Sequence, residues 1–149
     1  MSTTNHILLD KALSYYGLRE VEGSRSNPQI VAMLQSVAQW ADSDAYAWCS
    51  AYLHYVCQSV GYETSGSLAA RSWLKVGQPI PVADIQLGDA VIFWRSSPRS
   101  WKGHVGLFIN QEQNGTRWRI LGGNQRNAVN ISLYPSERVL GIRRLSPIL

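Results

Sequence analysis

The stretch Leu87-Gly88-Asp89-Ala90-Val91-Ile92-Phe93 decides the fold, because the hydrophobic period of the chain changes there. Before it, apolar residues recur at helical spacing. Residues 5–16 bring Ile7, Leu8, Ala12 and Tyr15 near one face, with Gly17 as a stop. Ser26-Asn27-Pro28 opens a second helix, since a polar cap followed by proline suits the proline's fixed φ and missing donor. Its buried face reads Ile30, Val31, Leu34, Val37 and Ala38. Residues 49–60 form a third, with Cys49, Leu53, Val56, Cys57 and Val60 along one side and Gly61 at the left-handed cap position. A short fourth covers 68–76, and Pro79 and Pro81 bar its continuation. After Gly88-Asp89, residues 90–95, 104–109, 117–121, 129–133 and 139–144 are short runs rich in β-branched or aromatic residues, divided by polar or glycine-bearing turns. Helices first and consecutive strands later predict an α+β domain, an antiparallel sheet packed on helices.

The chain has 149 residues, the size of one domain spanning 1–149, with 45% hydrophobic and 16% charged residues. No apolar run approaches the ~20 residues of a membrane-spanning helix. The opening Met1-Ser2-Thr3-Thr4-Asn5-His6-Ile7 has no basic segment followed by an apolar stretch, so the expectation is a protein made in the cytoplasm without a signal peptide. Two cysteines make no disulfide scaffold, and with three histidines they show no metal-ligand spacing. Charge is divided unevenly: residues 1–89 carry a net −3 and residues 90–149 a net +7. A basic half suits an anionic partner, whether nucleic acid, a membrane surface, a cell-wall polymer or an acidic protein, and equally suits a solvated surface. Nucleic acid is disfavoured, since there is no RNA-recognition signature and no run of consecutive Lys/Arg.

Three residues could carry chemistry. Cys49 sits at the start of the third helix, where unpaired N–H groups and the helix dipole favour a thiolate. Cys57 is eight residues further along, about 12 Å away at 1.5 Å per residue, too far for a disulfide, and reads as core. His104 opens a strand behind a loop and is the best available base. His54 lies about 140° around the helix from Cys49, and His6 has no polar neighbours that suggest a role. A third group would orient the imidazole. Asn124 follows Trp118, Ile120 and Gly122 at strand alternation, while a break at Gly122-Gly123 would bring Gln125 there instead. Cys, His and an amide together form an acyl-transfer arrangement.

At Trp48-Cys49-Ser50-Ala51-Tyr52 and Gly103-His104-Val105-Gly106 the chain resembles the papain-like amidases of the NlpC/P60 and CHAP superfamily. More narrowly, it is similar to a small bacterial and phage family of this type through Asn27-Pro28-Gln29-Ile30, Ala70-Arg71-Ser72-Trp73 and Gly122-Gly123-Asn124-Gln125. The likeness covers about residues 17 to 144. It implies a papain-like NlpC/P60 fold with the nucleophile at a helix N-terminus, and cleavage of amide bonds in peptidoglycan stem peptides or crosslinks. By the resemblance, Cys49 is the nucleophile, His104 the base and Asn124 the orienting residue, a position that also varies to His, Gln and acids. No metal or organic cofactor is implied. The basic, aromatic segment 95–102 is expected to line the groove. Size and architecture are similar to small amidase effectors of type VI secretion, which implies delivery into the periplasm of a target cell and a cognate immunity protein as partner. A phage endolysin of the same chemistry and a catalytically inactive wall-binding module are the alternatives.

Overall fold

The computed structural model describes residues 3–23 and 25–148; Met1, Ser2, Ser24 and Leu149 lie outside them. Helix α1 (Thr3–Leu13) buries Leu8, Leu9 and Ala12. Helix α2 (Pro28–Gln35) begins as its sequence dictates, with the Asn27 side chain accepting from the N–H of Gln29 at 2.9 Å and Pro28 in the first turn. Helix α3 (Cys49–Ser59) has no side-chain cap, and Gly61, at φ 76°, lies just beyond its end. The expected fourth helix is a 3-10 stretch, Ala70–Lys75. Only seven residues separate an extended Ala69 from a left-handed Gly77, too few for a stable α-helix and enough for the tighter winding.

The strands are β1 (Gln78–Pro79), β2 (Ala90–Trp94), β3 (Gly103–Glu112), β4 (Arg117–Gln125), β5 (Ala128–Pro135) and β6 (Val139–Arg144). They form one antiparallel sheet in the order β1-β6-β2-β3-β4-β5. β1 has no signature of its own in the sequence, and its Pro79 sits on an edge, where a missing donor does no harm. β3, β4 and β5 run longer than the hydrophobic pattern suggests.

Period-two alternation divides the sheet residues between two apolar clusters. Ala90, Ile92, Val105, Leu107, Leu121 and Val129 join the helices in the larger core, while Val91, Phe93, Phe108, Trp118, Ile120 and Ile142 form a smaller one. α3 packs across β3 and β4. The Gly88-Asp89 turn is a three-way tie. Asp89 is fully buried, and its carboxylate accepts from Asn5 Nδ2, from the N–H of Gln86 and from Arg144 Nε and Nη2, each at 2.8–2.9 Å. That bidentate pairing offsets the cost of burying the charge and joins α1, β2 and β6.

Much of the basic half is absorbed by the fold. Arg143 donates to the carbonyl of Leu74, Arg119 pairs with Glu112 and Asn110, and Arg138 lies 4.7 Å above the Trp94 ring. Arg95, Arg99 and Arg126 stand exposed.

His54 is the anomaly of α3. It is 7% exposed, and among the described residues neither ring nitrogen has a hydrogen-bond partner, while burial holds its pKa below the ordinary value. An unsatisfied buried polar group costs about 1–3 kcal/mol. His54→Leu is therefore expected to raise unfolding stability by about 1 kcal/mol, read by urea denaturation at pH 7.

Candidate active site

Three anchors set the N-terminus of α3. Trp48, fully buried, donates its indole N–H to Glu20 Oε2 at 2.8 Å. Ser50 Oγ donates to the carbonyl of Ser67 and accepts from Trp73 Nε1 at 2.8 Å. The Tyr52 hydroxyl donates to the carbonyl of Ala12 at 2.7 Å, holding α3 on α1. Between these, Cys49 is 5% exposed. Its sulfur lies against the N–H groups of Val105, Ser50 and Cys49 itself, with the Arg95 cation nearby. Burial pushes the thiol pKa up, and the three N–H groups and Arg95 oppose that rise.

Val105 follows His104, so the thiol meets β3 where the imidazole leaves it. His104 Nε2 lies 2.9 Å from Gln125 Oε1. The amide orientation is fixed by its other end: Gln125 Nε2 donates to the carbonyls of Ile120 and Asn130 and to Asn130 Oδ1, at 2.8–3.2 Å. Oε1 must therefore be the atom facing the ring, and it can only accept. The proton of a neutral His104 is thereby placed on Nε2, leaving Nδ1 with the lone pair of a base. Desolvation lowers the imidazole pKa to about 4, with Arg95 acting in the same direction and Gln125 opposing. A raised thiol and a lowered imidazole describe a neutral resting pair, with the proton on sulfur.

The residue on the ring is Gln125, not Asn124. The alternation through Trp118, Ile120 and Gly122 breaks at a bulge between Gly122 and Gln125, where Asn124 takes φ 59°. The extra residue turns Gln125 onto the face that alternation would have given Asn124. Both glycines are close approaches. A Cβ on Gly122 would collide with Gln125 Oε1, and one on Gly123 would lie 2.8 Å from Trp48 Cζ3 and Tyr52 Cβ. Gly122 thus admits the amide, and Gly123 admits the start of α3.

Arg71 fastens the segment between β2 and β3, donating to the carbonyls of Ser97, Pro98 and Lys102 at 2.8–3.0 Å. Two further residues reach the site: Arg95, from the basic segment expected to line the groove, and Tyr134, which has no advance signal. Arg95 acts electrostatically on Cys49, His104 and Tyr134. Tyr134 stacks on the imidazole, ring centroids 4.8 Å apart and planes 16° from parallel. The hydrophobic pattern of β5 gives out at Leu133, one residue short of Tyr134. Its pairing with Trp118 puts it in phase with Asn130 and Ser132, which face the site. Beside Gln125 and Tyr134 opens a groove of about 570 Å³, also lined by Arg119, Arg126, Ile131 and Leu133. Among the described residues no cluster of His, Cys, Asp or Glu could hold a metal ion.

His104 links pH to stability. The unfolded chain takes up a proton near pH 6.5 and the folded one near 4, so stability falls as pH drops through that window and levels below it. The loss is about 3 kcal/mol. His104→Gln should flatten this segment of a stability–pH curve measured by denaturant titration; an unchanged slope would place the shift elsewhere.

No protein-family model matches the sequence, and no curated protein matches it. Solved structures do. An NlpC/P60 family protein from Bacillus cereus matches with a TM-score of 0.60 at 16% identity, over 99% of this chain and 42% of that one. A lipoprotein-like NLP/P60 family protein from Staphylococcus aureus gives 0.55 at 20% identity, over 97% and 42%. RipD from Mycobacterium tuberculosis, described as a non-catalytic NlpC/p60 domain protein adapted to peptidoglycan binding, gives 0.54 at 13% identity over the whole of both chains. The protein is thus an α+β domain with a cysteine at a helix start and a histidine on the adjoining strand. Its fold is that of the NlpC/P60 proteins, and it spans about two fifths of the length of the first two relatives.

Proposed function

We propose that this protein is a cysteine amidase or endopeptidase that cleaves amide bonds of peptidoglycan stem peptides or their crosslinks. The observation that carries the reading is the Gln125–His104 contact, because it leaves Nδ1 unprotonated on the residue just before Val105, whose N–H faces the Cys49 thiol. As the amide carbon approaches, the Cys49 proton passes to His104 and the sulfur adds to the carbonyl. The N–H of Cys49, at the start of α3, is placed to donate to the oxyanion. The imidazolium then protonates the leaving amine, and as a neutral base activates the water that releases the acyl group. Gln125 holds one tautomer throughout, and no step uses a metal. The groove beside Tyr134, with Arg126 exposed on its rim, suits a chain bearing carboxylates.

We further propose that the enzyme acts in the periplasm of a target cell and has a cognate immunity protein in its producer. The fold neighbour adapted to binding supports a second reading, a wall-binding domain without turnover. Digestion of purified sacculi, with the soluble fragments identified by mass, separates them. Release of muropeptides with newly exposed amine and carboxyl ends supports hydrolysis and identifies the bond. Sedimentation with sacculi and no release would establish the binding module.

A further inference from the structure

Taking the site as a thiol–imidazole pair, we propose that Tyr134 is a positioning residue whose aromatic face clamps the His104 ring while Gln125 holds its edge. A hydrogen bond to Nε2 alone fixes an axis and a tautomer. The imidazole can still swing about that axis, and its Nδ1 with it. Preventing the swing requires a wall against the ring face. The Tyr134 ring lies against that face, 4.8 Å away and within 16° of parallel. Tyr134 is itself backed by Phe93, centroids 5.0 Å apart at 25°, and Phe93 lies 6.4 Å from His104. The three rings form a compact triangle in which a tilt of the imidazole must displace a neighbour. β5 supplies the wall because Tyr134 pairs with Trp118, in the strand that also supplies Gln125. Face and edge of the base are thus gripped from adjacent strands.

The clamp has an electrostatic consequence. Covering the ring face removes water from the group that must accept the proton, which favours neutral imidazole and keeps its lone pair available over a wide pH range. The quadrupole of the phenol face works the other way once the imidazolium forms, stabilising the cation at the moment of transfer. The ionisable groups around the ring are the Arg95 guanidinium from the segment after β2, which acts on His104 directly, the Tyr134 phenol stacked on it, and the Cys49 thiol from α3, which acts on Tyr134; Gln125 and Phe93 are neutral. Among the described residues no carboxylate acts on the ring, so the aromatic cover is the adjustable element.

The test uses the full chain and does not depend on peptidoglycan. Tyr134→Phe keeps the ring and removes the hydroxyl; Tyr134→Leu and Tyr134→Met keep apolar bulk on the strand and remove the aromatic face. Two quantities are read: the titration midpoint of His104 by NMR on histidine-labelled protein, and the pH profile of Cys49 alkylation by iodoacetamide. Tyr134→Phe should leave both as in the parent. Whichever of the Leu and Met variants keeps the parental near-ultraviolet circular dichroism should titrate at least one pH unit higher. Its alkylation profile should move by the same amount, with a rate at pH 4.5 at least threefold lower. A Leu or Met variant that titrates and reacts like the parent overturns the clamp. So does a Phe variant that shifts as they do, since that would assign the effect to the hydroxyl. Failure of the parent to cut sacculi would count against the proposed activity and leave both readouts intact.

Discussion

A Cys49→Ala protein is expected to fold as the parent does and to release no muropeptides from sacculi, a loss of about 10⁴-fold or more in turnover. The expectation rests on position. The sulfur is the atom set among the N–H groups of Val105, Ser50 and Cys49 at the head of α3, and the substitution removes it without touching Trp48 or Ser50, which anchor that turn. Cys57 is the internal control. It is fully buried, burial pushes its thiol pKa up, and it lies eight residues along the same helix. Cys57→Ala should cost about 1 kcal/mol of stability through lost packing and keep turnover. In cells the same contrast becomes growth: the parent fused to a periplasmic export signal should lyse a Gram-negative host, and its Cys49→Ala form should not. Hydrolysis by Cys49→Ala at the parental rate would remove the thiol from the mechanism.

The fold was legible wherever one residue type controls a local decision. Asn27-Pro28 forces a helix start because cap and φ are set within two residues, and Gly88-Asp89 marks the first core strand because the period changes there. Cys49 and His104 stand at the starts of their elements, positions that the local sequence marks, although both side chains are buried. Long-range facts were hidden. The pairing of Gln78 with Arg144 joins residues distant in sequence and has no local signature. The basic character of the second half suggested an anionic partner, but Arg143 and Arg144 serve carbonyl and carboxylate partners inside the fold, and only packing discloses which arginines remain outside. Tyr134 was missed because a strand end carries no periodic signal for the residue just beyond it. The third member of the site turned on one backbone angle. Alternation is a reliable guide along β4 until Asn124 turns left-handed, and asparagine is among the few residues that enter that region readily.

That angle leads to the second large effect. Gln125→Ala should lower turnover by about tenfold to a thousandfold, since it removes the acceptor that fixes tautomer and ring orientation but leaves the base in place. Asn124→Ala should leave turnover within about twofold and cost about 1 kcal/mol, the penalty of alanine in a left-handed backbone. Gln125→Glu tests the electrostatics. It keeps an oxygen for Nε2 but replaces the amide N–H group that serves the carbonyls of Ile120 and Asn130 with a second oxygen, so stability should fall. The new anion beside the ring favours imidazolium, so the acid limb of kcat/KM, set in the parent by a base titrating near 4, should move to higher pH. These signs differ from one another, which makes the set informative: Ala lowers the rate at every pH, whereas Glu lowers it chiefly at acid pH. If Asn124→Ala proved the damaging change and Gln125→Ala the harmless one, the bulge would have to lie elsewhere in β4 and the tautomer argument would fall with it.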